Sequence, residues 1–491
     1  MIGGQAGIKE FLSKNTCNFI MLVLNSVILF HLNNSILKRK ETWLIFLKTV
    51  VTLARNLLCE VCANLVDFIK KIIFSREFLQ QSRHNPADFS RNRSLPFTSL
   101  ILFFCNFLKS SYQPELNKFF KILSGSTVAQ KMVSKAALCK ARKKIKHEAF
   151  TLLNQEAIGY FNQHFHPRTW HGFFLKSVDG STVKLPATPD IADHFGVWNP
   201  RQGDPVPMAR ISQMFDPLNK VTTHAIIGPK STGERDMAAS HFEHLTIHDL
   251  VLLDRGYPAF WIFKLILSKG AHFCARISIK KWRLIRTFME SGKREQLVTL
   301  NVPFTSLEAC QNHGLDTLPI QVRLVRVELE SGEAEVLITS LTDMEQYPHH
   351  LFASLYHDRW PVEEDYKTMK CRIEIENFTG KSALSVYQDF HARVFSKNLT
   401  AMLTFTAQEH VELSTAERKQ SYQINFTQAL STMRDSIVLL FQRTGAIVQK
   451  IICNLLTTIA SAIEPVRPGR KYLRNHKRSQ RKYSLNYKPI L

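Results

Sequence analysis

Nothing in this chain is both long and apolar enough to suggest a membrane span. The best stretch, Phe19 to Leu32, is broken by Asn25 and Ser26 and falls short of the roughly 20 residues a crossing needs. No small-residue cleavage site follows it, and Lys38, Arg39 and Lys40 do, which argues against a signal peptide. Cysteine is sparse and scattered. Of nine, only Cys59 and Cys62 lie close together, and no second pair completes a four-ligand zinc site, so all are expected as reduced thiols. No low-complexity tract argues for disorder. Acid is in short supply: 41 Asp and Glu stand against 64 Lys and Arg, a net charge of +23. Such an excess repels itself unless it serves a polyanion or an anionic surface, and nucleic acid becomes the leading partner, in the cytoplasm and without a membrane role.

What is present is a globular composition, 45% apolar and 21% charged over 491 residues, enough for two to four structural units. Residues 1–80 read as an amphipathic helical extension, with Trp43, Phe46, Val50 and Leu53 at helical spacing and no assigned role. Residues 83–165 form a second helical region, expected to bind DNA. Within it Ser126 and Ser134 are candidate caps of two successive short helices, the second carrying Lys135, Lys140, Arg142, Lys143, Lys144 and Lys146. A helix-turn-helix on DNA and an ordinary basic surface helix fit that run equally well.

From Phe173 the pattern changes to short apolar runs between turn residues. Strands are expected at Phe173–Val178, Ala209–Phe215 and Val221–Ile227, then a helix at Glu234–Leu245 and a short all-apolar strand at Leu250–Leu253. A three-strand meander followed by a helix and a fourth strand is the order of an RNase H-like α/β core, here spanning residues 173–278. A helix over Pro258–Ser268 and a strand over His272–Ile277 complete it. Alternating runs at Gln296–Val302, Ile320–Leu329 and Glu335–Leu341 predict a β-rich insertion over 279–345. A helix within 346–380 returns to the core, and a helical region follows over 381–466. The last segment, 467–491, holds nine cations and no acid, a tail suited to phosphate.

Two aspartates stand at the ends of apolar runs: Asp179 before Gly180, Ser181 and Thr182, and Asp254 before Arg255, Gly256 and Tyr257. One such Asp is most often a cap or turn former. Two, followed by a third acid in a distinctive context, suggest one site. That context is Tyr356-x2-Arg359-x3-Glu363-x6-Lys370, whose offsets fall within roughly 60° of one another at about 100° per residue, so a continuous helix would present all four on one face. Pro361 interrupts this picture, because proline fits best in a first helical turn. Glu364 and Asp365 would lie about 100° and 200° away from Glu363. Lys370 and Arg359 suit phosphate, the latter by paired donors. Arg255 fits DNA or an acid partner, the pair being favoured. Trp282, amid Lys280, Lys281, Arg283 and Arg286, fits the core better than stacking on a base.

The Tyr-Arg-Glu-Lys spacing resembles that of bacterial insertion-sequence DDE transposases of the insertion-sequence-4 type, and "SVDGST" and "VLLDRGY" resemble that family's settings for its first and second aspartates. "DFSRNRSLPF" and "KSSYQPELNKFF" are more loosely similar to its N-terminal region. The resemblance runs from about Arg83 to Lys488. It implies an RNase H-like catalytic core interrupted by a β-strand insertion between Asp254 and Glu363, an interval of 109 residues. It also implies that Asp179, Asp254 and Glu363 bind two divalent ions, Mg²⁺ or Mn²⁺, as the catalytic triad. Tyr356, Arg359 and Lys370 would then hold transposon-end DNA, in a homodimer that pairs the ends. Three carboxylates supply hard oxygen ligands and offset cation charge, which is what metal-assisted phosphodiester cleavage requires.

Two other readings compete. An RNase H-like nuclease or resolvase without strand transfer would need the carboxylates but not the Tyr-Arg-Glu-Lys pattern. An inactive, transposase-derived DNA-binding protein would need neither, and the intact acids argue against it. Membrane-surface binding rests only on charge and residues 19–32.

Overall fold

The computed structural model describes residues 58–467 apart from 92, 130, 201–203, 280–281 and 329–331. The apolar stretch Phe19–Leu32, most of the N-terminal extension, Lys280, Lys281 and the basic tail beyond Arg467 lie outside the described residues. No described helix is long and apolar enough to cross a membrane.

A nine-stranded sheet organises the middle of the chain: β1 (Phe174–Lys184), β2 (Val197–Trp198), β3 (Val206–Asp216), β4 (Val221–Pro229), β5 (Asp249–Leu253), β6 (His272–Ile277), β7 (Glu295–Leu300), β8 (Ile320–Glu328) and β9 (Ala334–Thr339). Its order is β2-β3-β1-β5-β6-β9-β8-β7, with β4 also paired to β3. Strands β5 and β6 run parallel to β1, while the contacts of β3 with β1 and β4 are antiparallel. The meander-then-parallel order expected from the apolar runs is therefore present within a mixed α/β architecture.

The central strand shows why. Every residue of β5 is buried, as a run with no exposed face requires when helices cover both sides. Successive side chains go to opposite faces. Val251 and Leu253 join the apolar cluster under the helices Glu234–Phe242 and Phe260–Ser268, while Leu250 and Leu252 join the cluster that includes Phe352, Leu355 and Tyr356. The β3–β4 hairpin is fixed by Asp216, whose Oδ1 accepts from the backbone N–H of Leu218 (3.1 Å) and Asn219 (3.0 Å).

Residues 279–345 are less purely β than the alternation suggests. Strands β7 to β9 extend the same sheet through β6, but helices Arg283–Glu290 and Phe304–Asn312 lie among them. The first sets Leu284, Ile285, Phe288 and Met289 on one face against the core, a short apolar stripe at helical spacing, while the second buries only Ser306 and Cys310 and leaves Phe304 88% exposed. Trp282 is partly buried against the adjacent core.

The helical regions flanking the sheet share one apolar core. Residues from 59–165 and from 392–459 pack in a single cluster around the 32-residue helix Ala383–Ser414. Cys59 and Cys453 pair across 394 residues, which corrects the expectation that all cysteines are free thiols; the fold brings their Cα atoms to 5.5 Å. Of the two caps expected in the basic region, one is present. Ser134 caps the helix Lys135–Arg142, accepting from Ala137 N, but Ser126 caps nothing. The preceding helix, Tyr112–Ser124, ends at the left-handed Gly125, and Ser126 turns back to Val128 instead. Arg142, expected among surface cations, is buried. It donates to Asp389 Oδ1 (2.5 Å), Gln388 Oε1 (2.6 Å) and Ser385 O (2.9 Å) on the long helix.

Candidate active site

Parallel pairing of β1 with β5 ends on the rung Val178–Leu253, so Asp179 and Asp254 are the next residues on two adjacent strands. Both therefore stand at the carboxyl end of the parallel part of the sheet, where open α/β sheets place ligands. Only Asp254 terminates its strand. There its Oδ1 accepts from Gly256 N (2.5 Å), turning the chain away. Asp179 lies mid-strand, a correction to the strand-end reading: β3 continues to pair with β1 from Ser177 to Lys184 and carries it five residues past the aspartate.

The third element is a broken helix rather than a continuous one. Leu351–His357 ends before Arg359, Pro361 opens a second helix, Pro361–Lys367, at its first turn, and Thr368–Arg372 widens into a π-helical turn. The single face expected for Tyr356, Arg359, Glu363 and Lys370 is thus not formed by helical periodicity. The break places them differently. Arg359 Nη2 donates to Glu363 Oε1 at 2.8 Å, with the arginine side chain 7% exposed and the glutamate 35%. Tyr356 and Trp360 rings flank the guanidinium at 5.9 and 5.8 Å. Lys370 Nζ, on the π turn, donates to Ser181 Oγ of β1 at 2.7 Å, and burial lowers its pKa.

The charges converge on Asp179. Burial raises its pKa to about 6. The carboxylates of Asp254 and Glu363 push it the same way, opposed by the Gly180 N–H and the Arg359 guanidinium. The strand beneath is braced at that residue: Tyr366 Oη donates to Asp179 O at 2.7 Å, and Ser212 Oγ donates to it at 3.3 Å. Among the described residues no three His, Cys, Asp or Glu side chains are already closed about a point that would hold a metal ion. The carboxylates are instead balanced by Arg359, a cation standing among hard oxygen donors of the kind that Mg²⁺ or Mn²⁺ takes.

Two neighbours escaped the sequence reading. Tyr257 is buried and its hydroxyl has no hydrogen-bond partner; burial, then Asp179, Glu234 and Asp254, raise its pKa. Its position three residues past Asp254 is the signal that could have found it. Glu234, read only as a helix start, reaches over Gly180 and forms an ion pair with Arg210 at 3.6 Å. Asp365 and Glu364 take other work, as their angular offsets from Glu363 suggested. Asp365 is buried against Lys397 Nζ (2.5 Å) and Gln213 Nε2 (3.0 Å), and Glu364 is exposed and paired with Lys367. Arg255 is exposed and forms no ion pair among the described residues, so the favoured acid partner is not there.

Comparison with known proteins adds a family to this geometry. Residues 175–399, from β1 into the long helix, match the family model for the transposase DDE domain. The transposase InsG for insertion sequence element IS4, from Escherichia coli strain K12, is 25% identical over 288 residues, 57% of this chain. The matched part spans 63% of that relative's length. Among solved structures, the piggyBac transposase synaptic complex with hairpin DNA aligns over 82% of this chain and 85% of its own, at 10% identity and a TM-score of 0.39.

Proposed function

With residues 175–399 matching the family model for the transposase DDE domain, we propose that this protein is an insertion-sequence transposase that cleaves DNA at the ends of its element and joins them to new DNA. The observation that carries this is the juxtaposition of Asp179 and Asp254 one residue beyond the Val178–Leu253 rung, with the charge of Glu363 acting on the same carboxyl. The strand order β4-β3-β1-β5-β6 supports an RNase H-like core, and β7 to β9 with their two helices are then its insertion.

In this proposal Asp179, Asp254 and Glu363 hold the divalent ions. Bound there, divalent ions would acidify the attacking oxygen and offset charge on the leaving one. The remaining work belongs to the chain's own groups. Arg359, held to Glu363 through Nη2, keeps its other N–H donors for a phosphate. Lys370, anchored over Ser181 beside Asp179, supplies a point charge for a neighbouring phosphate. Tyr356 packs beneath Arg359 and fixes its plane. The brace from Tyr366 and Ser212 to the Asp179 carbonyl keeps the first carboxylate from drifting as substrate charge accumulates. DNA is the partner, and a homodimer would hold the two ends together.

The test uses duplexes from the DNA that flanks this reading frame, incubated with the full chain and Mg²⁺. Cleavage that leaves 3′-hydroxyl ends, which then join to a target duplex, is the expected result. Cleavage without joining would make the protein a hydrolytic nuclease, and neither activity from a chain that binds the ends would make it a DNA-binding derivative.

A further inference from the structure

A second concavity lies away from the carboxylates, between the loop around residues 87–95 and the helix Lys135–Arg142. Its volume is about 660 Å³, within the roughly 300–1,000 Å³ range of small-molecule and cofactor sites. The floor is apolar: Leu95 and Val133 are buried there, and the ring of Phe89 packs at 5.5 Å against Phe97. The rim is cationic, with Arg91, Arg93 and Lys140 exposed and no acid in the lining. None of these three forms an ion pair among the described residues. A fourth cation, Lys144, is engaged by Asp88 at 3.1 Å, a contact that ties the two walls together.

The walls are rigid for independent reasons. Buried Arg142 locks the helix to Asp389 and Ser385, and residues 82–84 are bonded to 144–146 by the Lys146 N to Ser82 O and His84 N to Lys144 O hydrogen bonds. Phe89 holds a backbone φ of +59°, a left-handed conformation that side chains other than glycine and asparagine seldom adopt. Strain of that sort persists where surrounding structure over-determines it and clusters at ligand sites. Phe89 also falls within "DFSRNRSLPF", a run that the carboxylate site leaves unused.

We infer that this cavity seats an unpaired nucleotide of a DNA strand, its base against Phe89 and Leu95 and its flanking phosphates on Arg91, Arg93 and Lys140. The inference deepens the proposed function and rests on it for the choice of DNA. Paired DNA meets proteins chiefly through its phosphates and groove edges and has no use for an apolar floor beneath a cationic rim. A base out of the stack brings both a flat apolar face and a phosphate on either side, and aromatic stacking with backbone cations is how proteins hold such strands.

Two variants separate the parts. Ala137 is exposed on the helix wall, so Ala137→Trp fills the cavity without touching its charges; Arg91→Ala with Arg93→Ala removes charge and leaves the cavity open. Binding of the full chain is read by fluorescence anisotropy with a labelled oligothymidine strand and with a blunt, fully paired duplex. Ala137→Trp is expected to weaken strand binding by about tenfold and leave the duplex unchanged. The double Arg variant is expected to weaken the strand as well and to reduce its dependence of log K on log salt by up to about 1.4, about 0.7 per lost contact. Ala137→Trp that holds the strand as tightly as the parent overturns the inference, and so does equal loss of strand and duplex. If the parent cleaves DNA and is indifferent to the cavity, only this inference falls; if it binds neither probe, the transposase reading falls with it.

Discussion

Arg359, in the break between two helices, donates to Glu363 four residues on, 2.8 Å from Nη2 to Oε1, and the two differ sharply in environment: the guanidinium is enclosed while a third of the carboxylate side chain stays open. A carboxylate with one side held and one side open can take a second cation without leaving its helix.

Glu363→Gln keeps the shape of that side chain and removes its charge. End cleavage in Mg²⁺ is expected to collapse by orders of magnitude while binding to the same duplex persists. Glu364→Gln is the control, since Glu364 is exposed and occupied with Lys367, and cleavage should change little. A gel assay of the two variants beside the parent decides it. Loss of cleavage in Glu364→Gln with Glu363→Gln active would move the catalytic assignment by one residue.

Lys370→Ala should behave in the opposite way. Its ammonium sits over Ser181 at 2.7 Å, two residues along β1 from Asp179, and is already partly desolvated. The expected loss in affinity for end DNA is about 1–3 kcal/mol, the range for a charge-assisted hydrogen bond, with residual cleavage at saturating DNA. Unchanged affinity with lost cleavage would place Lys370 in the chemistry instead.

The buried pair Lys397–Asp365 gives a prediction about folding rather than catalysis. Lys397 is fully enclosed and donates to Asp365 Oδ2 (2.5 Å) and Thr222 Oγ1 (2.7 Å), joining the long helix to the glutamate helix and to β4. Lys397→Met leaves the aspartate buried and unpaired, and the expected destabilisation is about 3–5 kcal/mol. Lys397→Met with Asp365→Leu should recover much of that, because an apolar pair of similar volume avoids the desolvation cost. Urea unfolding of the single and double variants measures both.

The sheet was legible in the sequence where burial is complete on both faces. Leu250 to Leu253 reads as a covered strand from its shortness and its unbroken apolar run, which sets Asp254 just past its end. The length of β1 was not legible, because its outer half, Gly180 to Thr182, is partly exposed and small and is held as strand by pairing with β3, a long-range fact. The helix bearing Glu363 was legible in residue identity and illegible in shape. Pro361 announced a break, but the π turn from which Lys370 reaches Ser181 on β1 has no local marker. The shared helical core of the two flanking regions joins segments more than 200 residues apart, beyond any periodicity argument.

The final prediction concerns acid. His241 is fully buried behind β3, its Nε2 2.9 Å from Ser212 Oγ and its Nδ1 2.8 Å from His224 Nδ1. Ser212 in turn braces the Asp179 carbonyl. One of the two facing Nδ1 atoms must donate and the other accept, so the contact requires at least one neutral ring. Burial, and then the neighbouring histidines, hold His241 well below its ordinary range, and burial with His244 lowers His224 to about 4. The sign follows from these depressed values. Above about pH 6.5 both rings are neutral folded or unfolded, and the folded state carries no penalty. Below that, the unfolded chain takes up protons that the folded chain refuses, so stability falls as pH drops from about 6.5 towards about 4. For His224 alone the loss is on the order of 3 kcal/mol across that window. The urea midpoint should therefore drop between these pH values in the parent chain and drop less in His224→Gln, which cannot be protonated. An equal acid slope in both would show that His224 is not the group being titrated.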